Sequence, residues 1–587
     1  MSILPLTTPT KLYPNTLTFP KQASFLKTAN HIAFASSAAN VSQNLEAVTE
    51  RRSANYMPNI WEHEFVTSLK SEYTGEVHVR RADSLRAKVK HLLDHMLELE
   101  GPLALLELID DIQRLGLGYM FEVDIQRNLS SCEENSVLMD QSLHTMSLYF
   151  RLSRQHGFNV TEDVFKVFKE DDGSFIDDIS KDIRGVLSLY EASYFGIEGE
   201  DTLDEAKKFA HIHLTNTKEK MDSNLVEQVD HALDLPLNLR MIRLETRWYL
   251  DAYSRRKDVI PYLLELAKLD FNMVQATHQV DVIAMSRWWK DLGLPDKLPF
   301  ARDRLVECFL WSVGVAYEPQ YDNCREGVTK LCILLTIIDD IYDVYATYEE
   351  AKLFTDAVVR WDLNAVEQLP EYMKISFLAL YNTVNGIAYD TLKKHGVNII
   401  PFLRKMWADQ CKSFLLEATW FHTGYKPTLQ EYLETSCISL GGPLVLFHTY
   451  FFMSSEITSE ALQYLASYPD LIRCSSMILR LTDDMGTSKA ELERGDNLKS
   501  IQCYMHEKGV TEEVGRKYIR YFTDEMWKKM NAEVLIDSPL PCEFVKLVVN
   551  WARTAETTYQ YDDGHGVPDK ETKTRILSLL VDSVPML

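Results

Sequence analysis

The apolar run Leu331–Tyr345, LCILLTIIDDIYDVY, carries three aspartates toward its end: Asp339, Asp340 and Asp343. At 100° per residue, Asp339 and Asp343 share a helical face and Asp340 lies beside them. Carboxylates gathered at the end of an apolar segment repel one another and lose hydration unless a cation sits between them. Oxygen-only ligands suit Mg²⁺ or Mn²⁺, whereas zinc more often recruits His or Cys. A solvated helix end is the plain alternative, and a second set of matched oxygens decides between the two. That set lies in LTDDMGTSKAE at 481–491, where Asp483, Thr487 and Glu491 recur at i, i+4 and i+8. Each step of four residues rotates by only ~40°, so the three oxygens line one stripe of a helix. Two such stripes facing each other across a cavity would hold several divalent ions whose remaining positions stay open to substrate oxygens.

Such ions call for an anion, and the basic residues nearby suit one. Arg302-x-Arg304 lies about one helical hairpin before Asp339, Arg480 one turn before Asp483, and Lys499 in the loop beyond Glu491. Guanidinium forks match phosphate oxygens bidentately, and lysine adds a point charge. The formal net charge of −24 makes that local concentration necessary. It also argues against nucleic acid or an anionic membrane as a general partner.

These residues need rigid helices to hold them. Gly and Pro, 23 and 20 residues of 587, make up roughly 7% of the chain against about 12% on average. Helical apolar spacing recurs from Leu103–Leu117 through Val186–Ala192 and Leu239–Leu250. Further helices are predicted at Tyr262–Trp289, Arg302–Ala316, Arg325–Tyr345, Tyr372–Lys393 and Ile400–Gly424. The fold class is therefore all-α, with two large helical domains, since the length exceeds what one core supports. The charged, Pro-terminated segment Ser254–Pro261 is the expected boundary, giving domains at 49–260 and 261–587. No stretch reads as the ~20-residue apolar run of a membrane span, and a monomer is expected. The acidic pairs Asp110-Asp111, Asp171-Asp172 and Asp177-Asp178 read as solvated surface, with no DxDD arrangement among them. Trp288 and Trp289 read as core. Nine scattered cysteines without a CxxC pair suggest reduced thiols rather than a disulfide framework.

Residues 1–48 differ from the rest. They are rich in Ser, Thr and Ala, carry Lys11, Lys21 and Lys27, and contain no acid before Glu46. That composition predicts a cleaved organellar transit peptide. The doublet Arg51-Arg52, eight residues before Trp61, means little alone.

Taken together, Arg51-Arg52-x8-Trp61, Arg302-x-Arg304, DDIYD at Asp339–Asp343 and Asp483-Asp484-x-x-Thr487-x-x-x-Glu491 resemble the plant class I terpene synthases. The resemblance runs from Arg51 to the C-terminus and is to the angiosperm monoterpene synthases of the b subfamily. It implies an N-terminal α-barrel domain without chemistry and a C-terminal domain holding a trinuclear magnesium cluster. Asp339, Asp340, Asp343, Asp483, Thr487 and Glu491 match its metal ligands. Arg302, Arg480 and Lys499 match diphosphate-binding positions, and Arg304 completes the motif with Arg302. Arg51 and Arg52 match an arginine pair on an N-terminal strand that caps the closed site and is associated with isomerising geranyl to linalyl diphosphate. Trp311 and, less specifically, Tyr559 match the aromatic pocket, and His565 a position near its mouth with a possible part in deprotonation.

The reaction so implied is metal-assisted ionisation of geranyl diphosphate. The cation is then cyclised, deprotonated or quenched by water to a C10 product. Three alternatives differ in substrate or class. Isoprene synthases resemble the chain but place Phe at the positions of Cys332 and Leu479, which here leave more room. A sesquiterpene synthase would take farnesyl diphosphate and needs no plastid targeting. A chain-elongating prenyltransferase would want a second DDxxD, which 483–491 does not supply.

Overall fold

The computed structural model describes residues 51–134, 142–218, 221–567 and 569–586. The expected transit segment, 1–48, lies outside them. Among the described residues there are 24 α-helices and no strand, only an isolated antiparallel bridge between Lys169 and Phe175. The helices of 76–254 pack mainly on one another, as in the contact of Leu143–Gln155 with Ile183–Ser193. Those from 261 onward likewise pack mainly on one another, and one continuous buried cluster runs through both sets.

The predicted boundary segment is a turn between Ile242–Ser254 and the 32-residue helix Pro261–Leu292, which starts on its proline as a helix favours. That long helix packs on Glu76–Glu100 on one side and on Leu305–Val315 and Asp322–Asp340 on the other. It therefore joins the two sets of helices. The first described residues, 51–61, run extended across the C-terminal core without a sheet partner. The expected capping strand is a strap and forms no sheet.

Asp110-Asp111 departs from the surface reading. Asp111 is buried, accepts Tyr249 Oη at 2.6 Å and pairs with Arg256 at 2.7 Å, while Asp110 pairs with Arg151 at 2.7 Å. An acidic pair inside an apolar helix cannot tell from local sequence which oxygens a distant arginine will claim. The other two pairs are exposed. Trp289 is core, buried with its indole N–H on Asp303 at 2.9 Å. All nine cysteines are free thiols, eight of them buried.

One stretch, Leu429–Met453, is apolar and long enough to pass for a span. It is two helices broken at Leu440 and Gly441, and 78% of its most apolar window is buried in protein. The break has a purpose: Gly441 has φ +84°, and a Cβ there would meet Leu335 of the cavity wall at 2.6 Å.

Candidate active site

The two carboxylate stripes lie on Asp322–Asp340 with its continuation, and on Asp470–Arg494. Regular α-helix ends at Asp340; Ile341–Tyr345 is a π-turn, closed by the Ala346 N–H on the Ile341 carbonyl. A π-turn inserted at a helix end re-aims the side chains it carries and is common at functional sites. Asp339 and Asp343 both line a cavity of about 250 Å³, and Asp483, Thr487 and Glu491 line it too. The mouth is polar. Below it Trp311, Cys332, Leu335, Phe414, Leu479 and Trp551 form an apolar wall.

The cations are placed by carboxylates. Arg302 meets Asp339 at 2.7 Å and Asp340 at 2.8 Å. Arg480 pairs with Asp483, and with Asp484 at 2.7 Å. Lys499 Nζ is 3.2 Å from Glu491 Oε2, which also accepts Thr487 Oγ1 at 3.0 Å. Burial alone would pull the Lys499 ammonium down, but Glu491, Asp484 and Asp343 together outweigh it and the group is held charged. Glu491 is in turn held below the usual carboxylate range, because Lys499 and Arg480 overcome the effect of burial.

The opposite wall carries surplus negative charge. Asp343 is an exposed residue, yet the protein around it, then the like charges of Asp339 and Glu417, push its carboxyl up. Enclosure raises Asp339 too, with Arg302 opposing. Glu417, on Ile400–Thr423, is pushed up to about 7 by burial, with Lys499 and Arg480 opposing. The Ser439 hydroxyl donates to it at 2.9 Å. Repelling oxygens without His or Cys among them are the donor set of a hard divalent cation, whose charge would reverse each of these shifts. Among the described residues no three acidic, His or Cys side chains already converge into a closed cage. The oxygens stand on two walls, an open arrangement that substrate oxygens would complete.

Two predicted residues lie elsewhere. Asp340 is fully buried and gives both oxygens to Arg302, so it does not face the cavity as a ligand. Arg304, also fully buried, spends its guanidinium on the carbonyls of Gly566, Met57 and Asp303 at 2.6–3.1 Å. It pins the strap and the His565 turn, and it does not line the cavity. The predicted helix Arg302–Ala316 begins only at Leu305. The non-helical Arg302–Arg304 triplet sends its side chains to different partners, Asp303 taking Asn59 and Trp289.

Arg51 and Arg52 hold the strap from outside the cavity. Arg51 clasps both oxygens of Glu350 at 2.9 Å and lies over Tyr345 and Tyr372. Arg52 donates to the Asp343 carbonyl at 3.0 Å and to Asp496 at 2.8 Å. Together they tie the strap to the first aspartate segment and to the loop before Lys499.

Trp311 lies 4.9 Å from Trp551, 6.2 Å from Tyr559 and 6.4 Å from His565, centroid to centroid, and all four line the cavity. Burial, then Arg302 and Arg304, push the His565 imidazole down to about 3, so it is neutral. Thr336 Oγ1 donates to the Cys332 carbonyl and lies 3.2 Å from His565 Nε2, which therefore carries the proton.

The sequence reading missed Glu417, Tyr56, Phe414 and Trp551. Tyr56 lines the mouth with the Arg302 guanidinium 4.9 Å and the Arg494 guanidinium 5.8 Å from its ring. Its place in the strap, four residues past Arg52, is the one signal that pointed to it.

A helical cavity with an acidic mouth, clamped cations and an aromatic floor defines a metal-dependent enzyme acting on an apolar substrate with an anionic head. "Terpene synthase, N-terminal domain" matches residues 60–233, and "Terpene synthase family, metal binding domain" matches 290–529. The chain is 52% identical to (-)-alpha-terpineol synthase of Vitis vinifera over 93% of its length and 92% of that protein's. It is 49% identical to the chloroplastic myrcene synthase of Quercus ilex, over 91% and 90%. Among solved structures, limonene synthase with 2-fluorolinalyl diphosphate superposes with TM-score 0.89 at 42% identity, covering 91% of this chain and all of that one. Isoprene synthase from grey poplar leaves, in complex with three Mg²⁺ ions and dimethylallyl-S-thiolodiphosphate, gives 0.84 at 46%, covering 90% and 100%. The chain belongs to the terpene synthase family, divalent-metal lyases acting on prenyl diphosphates. Within that family its relatives are monoterpene synthases.

Proposed function

We propose that the chain ionises geranyl diphosphate and converts the cation to a C10 monoterpene, with Mg²⁺ as the metal, three ions in all, and Mn²⁺ as the alternative. The supporting observation is one continuous cavity that joins the acidic mouth to the aromatic floor. Asp339 and Asp343 on one wall and Asp483, Thr487 and Glu491 on the other would hold the ions. Bound there, they supply Lewis-acid neutralisation of the leaving diphosphate. Asp340 serves by fixing Arg302.

The protein's own groups do the rest. Arg302, Arg480 and Lys499 meet negative charge where it develops, in a mouth from which the strap excludes water. Trp311, Trp551 and Tyr559 offer π-faces to the cation at ~0.5–2 kcal/mol per contact, without a nucleophile. His565, neutral with Nδ1 unpartnered, is placed to accept a proton from the cation. Arg51 and Arg52 hold the strap closed, which favours the isomerisation that cyclic products require.

The partition into 49–260 and 261–587 belongs to the same reading, with the N-terminal helices as scaffold and the chain acting as a monomer. Targeting to the plastid stroma by residues 1–48 is supported by relatives named chloroplastic.

The test is purified protein with Mg²⁺ and geranyl diphosphate, products read by gas chromatography. A volatile C10 product and released diphosphate are expected, and chelation of the metal stops both. Strong turnover of dimethylallyl or farnesyl diphosphate with none of the geranyl ester overturns the assignment.

A further inference from the structure

Tyr56 stands where the strap crosses the cavity mouth, and neither the carboxylate stripes nor the aromatic floor accounts for it. In an extended chain successive side chains point to opposite sides, yet residues 54–57 all line the cavity. The alternation breaks at Asn55, whose φ of +50° lies in the left-handed region that Asn tolerates better than most residues. The strap is fastened on both sides of this bend. Before it, Arg52 donates to Asp496 at 2.8 Å and to the Asp343 carbonyl at 3.0 Å. After it, the Met57 carbonyl accepts Arg304 at 2.6 Å and Asn59 donates to Asp303 at 2.9 Å. Tyr56 is thus carried over the mouth by a backbone that its own side chain need not hold.

Its ring meets two cations from different elements. The Arg302 guanidinium lies 4.9 Å from the ring centroid and the Arg494 guanidinium 5.8 Å, and the hydroxyl is beside the Asp340 carboxylate that grips Arg302. Arg494 is the last residue of the helix Asp470–Arg494, one turn past Glu491, and it lines the mouth with its side chain 35% exposed. It pairs with Asp496 Oδ2 at 3.0 Å, while Oδ1 of the same carboxylate takes Arg52. The contacts close a circuit, from Arg52 through Asp496 and Arg494 to Tyr56 and back along the strap. Two guanidiniums at one mouth repel each other, and a π face, negative at its surface, attracts both. A carboxylate in that place would hold them as well, but it would repel an incoming diphosphate. A neutral ring does not.

We propose that Tyr56 is a positioning residue for the diphosphate group: its ring aims Arg302 and Arg494 together at the anion, and Arg494 joins Arg302, Arg480 and Lys499 as a further cation of that site. The inference rests on the reading of Arg302 as a diphosphate contact. It does not depend on which prenyl chain the diphosphate carries.

The experiment is calorimetry on the full chain in excess Mg²⁺, with inorganic diphosphate, the leaving group itself, as the probe. Tyr56→Ala is expected to weaken binding by about tenfold, the combined worth of two partly exposed cation–π contacts, and Tyr56→Phe, which keeps the ring, by no more than about threefold. Unchanged affinity in Tyr56→Ala, or an equal loss in Tyr56→Phe, overturns the proposal. A second variant tests the coupling. Arg494→Met should weaken binding by about threefold or more in the unmodified chain and add little to Tyr56→Ala, as residues in contact do. Losses that add in full, or no loss at all, overturn the proposal as well. Should Tyr56→Ala fail to fold, Tyr56→Leu takes its place with the same expected outcome. Absence of binding to the unmodified chain would sink the reading of Arg302 together with this one, whereas binding indifferent to Tyr56 sinks this one alone.

Discussion

Asp340 grips Arg302 with both carboxylate oxygens, Oδ2 accepting the backbone N–H at 2.7 Å and Oδ1 the guanidinium Nε at 2.9 Å. Asp484 meets the Arg480 guanidinium through Oδ1 alone, at 2.7 Å, and it further accepts Tyr432 Oη and the Ser500 N–H. In each aspartate pair the first residue lines the cavity and the second, fully buried, sets an arginine.

The two members of a pair should therefore fail differently. Asp339→Ala is expected to lower kcat by at least ~10²–10³-fold with little change in melting, the size of loss seen when a charge-stabilising group is removed. Asp340→Asn should instead raise KM by ~10-fold and lower the melting temperature, because it leaves a buried guanidinium short of charge. Steady-state kinetics with thermal melts separates the two. Identical kinetic profiles would return Asp340 to the metal set.

The strap makes a second test. The Arg51–Glu350 clasp is only a quarter exposed at Arg51, and its worth to stability is about 1 kcal/mol or less. Its worth to the reaction is closure. Arg51→Ala and Glu350→Gln are expected to give the same product shift, from cyclic toward acyclic or hydroxylated species, while diphosphate release continues. A shift in Arg51→Ala without one in Glu350→Gln would mean that the arginine acts on substrate directly.

Chain-length selection is open to direct trial. Cys332 and Leu479 both line the apolar wall, and both are smaller than phenylalanine. Cys332→Phe with Leu479→Phe should shorten the cavity, so that relative kcat/KM moves at least tenfold from geranyl toward dimethylallyl diphosphate. Unchanged preference would place the chain terminus elsewhere.

Much of this was legible in the sequence because spacing is local physics. Asp483, Thr487 and Glu491 fall on one stripe in any α-helix, and the stripe does face the cavity. Asp340 was not legible, since a helical wheel places it beside Asp339 and cannot know that Arg302 will approach that flank. Arg304 was misplaced for a related reason: the helix begins only at Leu305, so helical spacing does not relate Arg304 to Arg302. Glu417 and Trp551 sit in apolar helices with no partner at a telling interval, and only packing brings them to the cavity. The all-α architecture followed from periodicity, while the strap's crossing depends on contacts nearly 300 residues apart, such as Arg51 with Glu350.

The last prediction concerns Glu307, which anchors the strap by accepting the Trp61 indole N–H at 3.0 Å. The residue is 2% exposed and its second oxygen is buried without a partner. Burial pushes its carboxyl up to about 7, with Arg304 and Trp61 opposing. A group raised in the folded state stabilises fully below its unfolded value, near 4.5, and that contribution is lost as pH rises through about 7. The whole span corresponds to roughly 3 kcal/mol. Glu307→Gln keeps an oxygen for Trp61 and removes the charge, so it should melt a few degrees above the unmodified chain at pH 8 and alongside it at pH 5. Glu307→Ala, which strands the indole N–H, should melt lower at both. Parallel melting curves for the unmodified chain and Glu307→Gln across that range would show that the carboxyl titrates normally and that the strap's anchor is indifferent to charge.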